Sequence, residues 1–275
     1  KDRVAILANT RIEWAMSDMA ILAAGAITVP IYGSSTPADC VYILNHCEVK
    51  AVIVENAKQL TKLLEQRAEL KFLEQIIVIE PVPANLATAN PDVLDFEGLK
   101  AIGSKEDALD PSRYEKNLLA AQPDDLITIC YTSGTTGLPK GVMLTHANMV
   151  SVLEDAVKEL HSYVLPEQEV FVAFLPFSHV IGKLESIAAY TFGYQECYAE
   201  SFDKLIQAMA DSRPTILFAV PRVFEKAYTR VNALLESGPA AKKMLFHWAM
   251  AVGRAYYKEI WAGKKPSFLQ ASQYN

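Results

Sequence analysis

The stretch Leu126-Ile-Thr-Ile-Cys-Tyr131, then Thr132-Ser133-Gly134-Thr135-Thr136-Gly137-Leu138-Pro139-Lys140-Gly141, then Val142-Met-Leu-Thr-His146 decides how the chain is read. An apolar strand-like run enters a loop of glycine, hydroxyl residues and one lysine, and a second apolar run leaves it. Gly134 and Gly137 accept positive φ and let backbone N–H groups come close to an anion. Thr132, Ser133, Thr135 and Thr136 add hydroxyl donors, and Lys140 adds positive charge. This is the chemistry of a phosphate cradle, although a polar hairpin turn between two strands has the same composition. A Walker loop is excluded, because its lysine directly follows a glycine and opens a helix. Here Lys140 follows Pro139 and leads into an apolar run.

Outward from this loop the chain alternates strands and helices. On the N-terminal side, strands are expected over Val4–Leu7, Ala26–Tyr32, Val49–Glu55 and Gln75–Glu80, with helices over Glu13–Ala26, Pro37–Cys47 and Ala57–Leu70. Thr36-Pro37-Ala38-Asp39 is a helix start, with Thr36 as N-cap, Pro37 in the first turn and Asp39 placed for a capping box. Pro81–Gly103 reads as a surface excursion rich in Pro and Asn, and Ser104–Gln122 as one or two polar helices. Beyond the loop, Thr145 caps a helix from Ala147 to Tyr163. A second block follows: strand Val170–Leu175, helix Val180–Phe192 closed by Gly193, strand Gln195–Ala199, a helix capped by Ser201, strand Thr215–Val220, and helices Pro221–Glu236 and Ala240–Gly263. Such alternation predicts an α/β fold of doubly wound, mostly parallel sheets in two subdomains, residues 1–167 and 168–275.

Composition narrows the function classes. Hydrophobic residues at 51% and charged residues at 21% describe a soluble globular chain rather than a disordered one. The net charge of −6 speaks against a general nucleic-acid binder. The longest apolar candidate for a membrane span, Met19–Tyr32, is short and contains Gly25 and Pro30, and there is no charged-then-apolar leader. Cys40, Cys47, Cys130 and Cys197 are scattered, which suits free thiols in the cytoplasm. No metal site is expected, because His46, Cys47 and Cys40 lack ligand spacing and Asp124 and Asp125 suit a turn.

The run Tyr131–Val142 resembles, position for position, the signature loop of the adenylate-forming superfamily, which includes acyl-CoA synthetases, peptide-synthetase adenylation domains and beetle luciferases. Leu175-Pro176-Phe177-Ser178-His179 resembles that family's second core motif, and Val220-Pro221-Arg222-Val223-Phe224-Glu225-Lys226 a segment typical of its long-chain fatty acid–CoA ligases. The resemblance implies ATP-dependent activation of a long-chain fatty acid to an acyl-adenylate and then to acyl-CoA, with ATP, Mg2+ and coenzyme A taking part. It implies that Thr132, Ser133, Gly134, Thr135, Thr136, Gly137 and Lys140 hold the ATP phosphates, and that His179 walls the acyl site without serving as a general base. On its own a lone histidine there is more often structural. Arg222 is placed at the acyl tunnel or its entrance, though a helix-start arginine is also commonly just solvated. Gly182 and Lys183 follow the motif where long-chain members usually show an acidic or glycine residue and then arginine, so the role of Lys183 stays open.

No catalytic residue is assigned, since the family's catalytic lysine belongs to a C-terminal domain with no counterpart in this sequence. The adenine, ribose and hinge motifs are also missing from it, so the chain is expected to be incomplete and inactive alone. The alternatives are a short-chain or aryl acid ligase, or a non-catalytic nucleotide- or acyl-binding module. Between Pro221 and Lys265 nine Lys/Arg face three Asp/Glu, a balance of +6. The helix Ala240–Gly263 pairs an apolar stripe of Leu245, Trp248, Ala249, Val252, Tyr256 and Ile260 with Lys243, His247, Arg254 and Lys258 on the opposite side. It therefore suits peripheral contact with the inner membrane face, although packing on the body of the enzyme is the commoner use of such a helix.

Overall fold

The computed structural model describes residues 1–88, 90–132, 137–160, 168–267 and 271–272. In chain order the elements begin β1 (Arg3–Leu7), α1 (Ile12–Ala23), β2 (Ile27–Ile31), α2 (Pro37–His46), β3 (Ala51–Val54), α3 (Ala57–Leu64) and β4 (Gln75–Val78). There follow α4 (Ala84–Thr88), β5 (Val93–Asp95), α5 (Phe96–Leu109), α6 (Ser112–Leu119), β6 (Leu126–Thr132), β7 (Lys140–Thr145) and α7 (His146–Leu160). The last are β8 (Val170–Ala173), α8 (Val180–Phe192), β9 (Gln195–Tyr198), α9 (Phe202–Ser212), α10 (Pro221–Glu236) and α11 (Ala240–Trp261). They form two compact units, Lys1–Leu217 and Phe218–Asn275. That division falls later than the expected boundary at 167/168, which lies at the edge of the undescribed residues 161–167.

The first unit holds a seven-stranded sheet in the order β5-β4-β3-β1-β2-β6-β7, parallel except for β7. Its central strands read VAIL, ITVPI, AVIV and QIIV because both faces are covered. Alternation then sorts the side chains. Ala5, Leu7, Val29, Ile31, Val52, Val54, Ile76 and Val78 join the core with Cys40, Ile43 and Leu44 of α2 and Leu60 and Leu63 of α3. Pro30 brings no N–H to the middle of β2, and a side chain shares in the joint with the next strand: Thr128 Oγ1 donates to Thr28 O at 2.9 Å.

The expected capping box at α2 is present, with Thr36 Oγ1 accepting from Asp39 N and Asp39 accepting from Thr36 N at 3.1 Å. At α7 a similar exchange joins Thr145 and Asn148, the helix starting at His146; its expected end at Tyr163 lies outside the described residues. Gly193 closes α8 at φ 74°. Ser201 precedes α9 without a side-chain cap bond, unlike the expectation.

Two stretches depart from the sequence reading. Within the supposed surface excursion, Val93–Asp95 adds a parallel edge strand to β4. Three residues are too few to show a period, and what fixes them is distant: Gln75 Nε2 donates to Asp92 O at 2.7 Å and Arg67 pairs with Asp92 at 2.8 Å. Conversely, Thr215–Val220 does not form a strand. It makes one bridge, Ile216 to Phe171, beside the two-stranded parallel sheet β8-β9, and Pro221 opens α10.

Candidate functional site

The signature stretch is an antiparallel hairpin. Tyr131 faces Gly141 and Thr132 faces Lys140, so the loop between them leaves the carboxyl edge of β6. Helix α2 grips both arms. Tyr131 OH and His46 Nδ1 share a hydrogen bond of 2.5 Å, Cys47 Sγ lies 3.2 Å from the same phenol, and Tyr42 OH donates to Pro139 O at 3.1 Å. Tyr42 stacks on His46 with centroids 5.3 Å apart. Burial, then the Cys47 thiol, raises the Tyr131 phenol above its ordinary range, which keeps it neutral. Gly141 must be glycine for space, since a Cβ there would stand 2.9 Å from Ile129 Cγ2 and 3.3 Å from the Tyr131 ring.

Of the expected phosphate-binding residues, Thr132, Gly137 and Lys140 are described, whereas Ser133, Gly134, Thr135 and Thr136 lie outside the described residues. Thr132 and Lys140 are exposed, and the Lys140 ammonium has no ion-pair partner among the described residues. Gly137 takes φ +113°, a conformation that L side chains rarely adopt. The loop's base therefore presents a free cation and a hydroxyl across a two-strand gap, with glycine where the chain bends.

His179 stands at the turn between β8 and α8. It is exposed and N-caps α8, its Nδ1 accepting from Ile181 N at 3.2 Å. The turn is bolted to the first sheet at several points. Thr10 Oγ1 donates to Leu175 O at 2.8 Å, Ser178 Oγ donates to Ile31 O at 3.1 Å, and Phe177 packs edge-on against Trp14 at 5.2 Å. Ile31 ends β2, the parallel neighbour of β6, with Thr28 level with Thr128. The His179 turn, which follows β8 of the second sheet, is thus held against the carboxyl end of β2, the strand next to the β6 hairpin, on the side of an open α/β sheet where ligands bind.

Sequence reasoning left Lys183 open and did not single out Asp18. Lys183 is fully buried and its Nζ reaches both Asp18 oxygens, at 2.5 and 2.6 Å. Thr28 Oγ1 donates to the same carboxylate at 2.6 Å, and the ammonium lies 5.7 Å from the Trp14 ring centroid. This pair ties α8 to α1 beneath the His179 turn. Asp18 falls within the buried stripe Trp14, Ala15, Ser17, Asp18, Ile21, so an acid on an apolar helix face was the available signal.

Arg222 lies in the other unit, exposed in the first turn of α10. In α11 part of the expected stripe is exposed, with Leu245 at 62%, Trp248 at 53% and Ile260 at 43%, while Val252 and Tyr256 are half-buried.

Residues 1–264 match the family of AMP-binding enzymes. The chain belongs to that family. Among curated relatives, this AMP-binding enzyme is 35% identical over 227 residues to the long-chain-fatty-acid–CoA ligase FadD15 of Mycobacterium bovis, covering 82% of this chain and 36% of that protein. It is 33% identical over 260 residues to the long-chain-fatty-acid–CoA ligase ACSBG1 of Rattus norvegicus, covering 90% of this chain and 34% of that protein. The chain thus spans about a third of the length of the curated relatives it matches. Among solved structures, the adenylation domain of a carboxylate reductase from Mycobacterium chelonae aligns at TM-score 0.67 and 25% identity, covering 92% of this chain and 40% of that one. The N-terminal domain of FACL13 from Mycobacterium tuberculosis aligns at TM-score 0.55 and 23% identity, over 82% of this chain and 51% of that one, which shows the fold alone. The mostly parallel central sheet is that of the N-terminal domain of adenylate-forming enzymes. Among the described residues of this AMP-binding enzyme, no helix is long and apolar enough to cross a membrane.

Proposed function

We propose that this chain supplies the ATP-phosphate and acyl-entrance part of a long-chain fatty acid–CoA ligase. The observation that carries the reading is that the His179 turn bonds the carboxyl end of β2, whose neighbour β6 leads into the Lys140 hairpin, in a chain whose curated relatives are long-chain ligases. The residues present suit a triphosphate. Lys140 is unpaired among the described residues, Thr132 offers a hydroxyl, and Gly137 bends the backbone without a side chain. In this reading the fatty carboxylate attacks the α-phosphorus of ATP, pyrophosphate leaves, and the thiol of coenzyme A then displaces AMP. Lys140 and Thr132, with Ser133, Gly134, Thr135 and Thr136, hold the β- and γ-phosphates and offset the charge that grows on the leaving pyrophosphate. His179 walls the acyl side. Mg2+, when bound, would offset charge on the phosphate oxygens of ATP.

The division into subdomains 1–167 and 168–275, the place of Arg222 at the acyl tunnel, and a cytoplasmic location belong to the same proposal. So does peripheral contact of α11 with an anionic membrane. Its partly exposed apolar stripe and Lys243, Arg254 and Lys258 motivate that contact. Replacing these three by glutamate is expected to abolish co-sedimentation with anionic liposomes; unchanged co-sedimentation would remove the idea.

The function itself is tested by ATP–pyrophosphate exchange over carboxylic acids from short to long, in a chimera where this chain replaces the matching third of a long-chain relative. Exchange should rise with chain length. Preference for short-chain or aryl acids would reassign the substrate, and binding without exchange would make the chain a non-catalytic module.

A further inference from the structure

Behind the His179 turn lies a second buried charge cluster that the adenylation reading does not use. Glu185 of α8 is 4% exposed, and neither of its carboxyl oxygens has a hydrogen-bond partner among the described residues. Glu196 of β9 buries Oε1 without a partner, while its Oε2 accepts from Tyr198 OH at 2.7 Å. Three of the four carboxyl oxygens are thus buried and unsatisfied among the described residues, and a negative charge on Glu196 disfavours one on Glu185.

Among the described residues no basic group acts on either carboxyl group. The groups facing the pair are the phenols of Tyr190 on α8, Tyr194 in the connecting turn and Tyr198 on β9. Asp18 of α1 acts on Tyr190 and is already matched by Lys183, the buried lysine of α8. On α9, Asp203, Lys204 and Asp211 are exposed, as are Glu154, Asp155, Lys158 and Glu159 on α7. An ionised, unpaired carboxylate in such a place is strongly disfavoured, and the group takes up a proton instead.

The cluster is in contact with the candidate site. Tyr198, whose hydroxyl binds Glu196, packs edge-on against Phe177 at 6.0 Å, and Phe177 packs against Trp14 at 5.2 Å. Phe177 is two residues before His179 in the same turn. Glu185 itself stands on α8, the helix that His179 caps.

We propose that Glu185 and Glu196 are a proton-holding pair that makes the seat of the His179 turn respond to pH, packed while the pair is protonated and loosened when it ionises. Burial, reinforced by Glu196, pushes Glu185 up to about 8. Burial pushes Glu196 up to about 7 against the opposing hydrogen bond from Tyr198. Both lie above the ordinary value of 4.5 that holds in the unfolded chain. The folded state therefore holds more protons between these limits. The stabilisation is complete below pH 4.5, is lost as pH rises through 7 and 8, and changes no further above that. The consequence for acyl activation rests on the proposed function; the proton pair does not.

The test is urea unfolding of the whole chain from pH 5 to 9, for the wild type, Glu185→Gln, Glu196→Gln and the double variant. In the wild type the folding equilibrium constant should fall by up to about tenfold per pH unit for each group. Each single variant should lose one group's share of that slope, and the double variant should lose both. A wild-type slope that persists in the double variant overturns the pair. If the variants do not fold, the wild type alone decides. Its infrared spectrum should show a protonated-carboxyl band at pH 6 that fades by pH 9, and its Trp14 indole N–H resonance should shift with the same midpoint. A missing band or a static resonance overturns the proposal. These readouts involve no nucleotide or fatty acid, so their failure is distinct from failure of the exchange assay.

Discussion

Lys183→Met should destabilise the first unit by about 3–5 kcal/mol, the usual effect of leaving one half of a buried ion pair alone. Lys183 has no exposed surface, its ammonium makes two short bonds to Asp18, and the remaining partner of that carboxylate is one neutral hydroxyl, from Thr28. Methionine fills much of the same volume against Trp14, so the loss is electrostatic rather than a cavity. Adding Asp18→Asn removes the stranded charge and keeps an acceptor for Thr28, so the double variant should recover to within about 1–2 kcal/mol of wild type. Urea unfolding of the four proteins in this cycle checks both statements. A single-variant loss below about 1 kcal/mol would mean that the pair does not hold α8 on α1.

Gly182→Ala is expected to lower stability by about 3 kcal/mol or more, although alanine is the better helix former by about 1 kcal/mol. The sign follows from what the new methyl meets. It would stand 2.2 Å from Pro176 O and 2.7 Å from Pro176 C, which are backbone atoms in the turn that presents His179. No side-chain rotation relieves that contact, so either α8 or the turn must shift. Gly103→Ala is the control. Gly103 lies within α5 with nothing within 4 Å of an added Cβ, so there the helix preference should prevail with a gain of about 1 kcal/mol. Equal urea midpoints for Gly182→Ala and wild type would show that the turn is slack.

What the sequence made legible follows the range of the interaction. Caps and periods act over a few residues, so the Thr36–Asp39 box, the buried strands and the Pro221 helix start can be read from neighbours alone. The three-residue strand β5 cannot, because Gln75 and Arg67 fix it from outside its own stretch. Thr215–Val220 looks like a strand by composition, yet only Ile216 finds a sheet neighbour. At the site, the signature loop and the His179 motif were visible as contiguous residues. Their support was not: Asp18 and Lys183 are 165 positions apart, and the Tyr131–His46 bond spans 85. Nothing local marks Glu185 as unpartnered, since i+3 and i+4 neighbours on α8 say nothing of a carboxyl group on β9.

The central claim is that the Lys140 hairpin holds the phosphates during adenylation. Its most direct measurement is fatty-acid-dependent ATP–pyrophosphate exchange in the chimera with and without Lys140→Ala. The hairpin's exposed lysine, without an ion-pair partner among the described residues, predicts exchange in the parent and a loss of about tenfold to a hundredfold in the variant, the order expected for removing a charged phosphate contact. Exchange at the parent rate in Lys140→Ala would contradict the account and return the stretch to a polar turn between two strands.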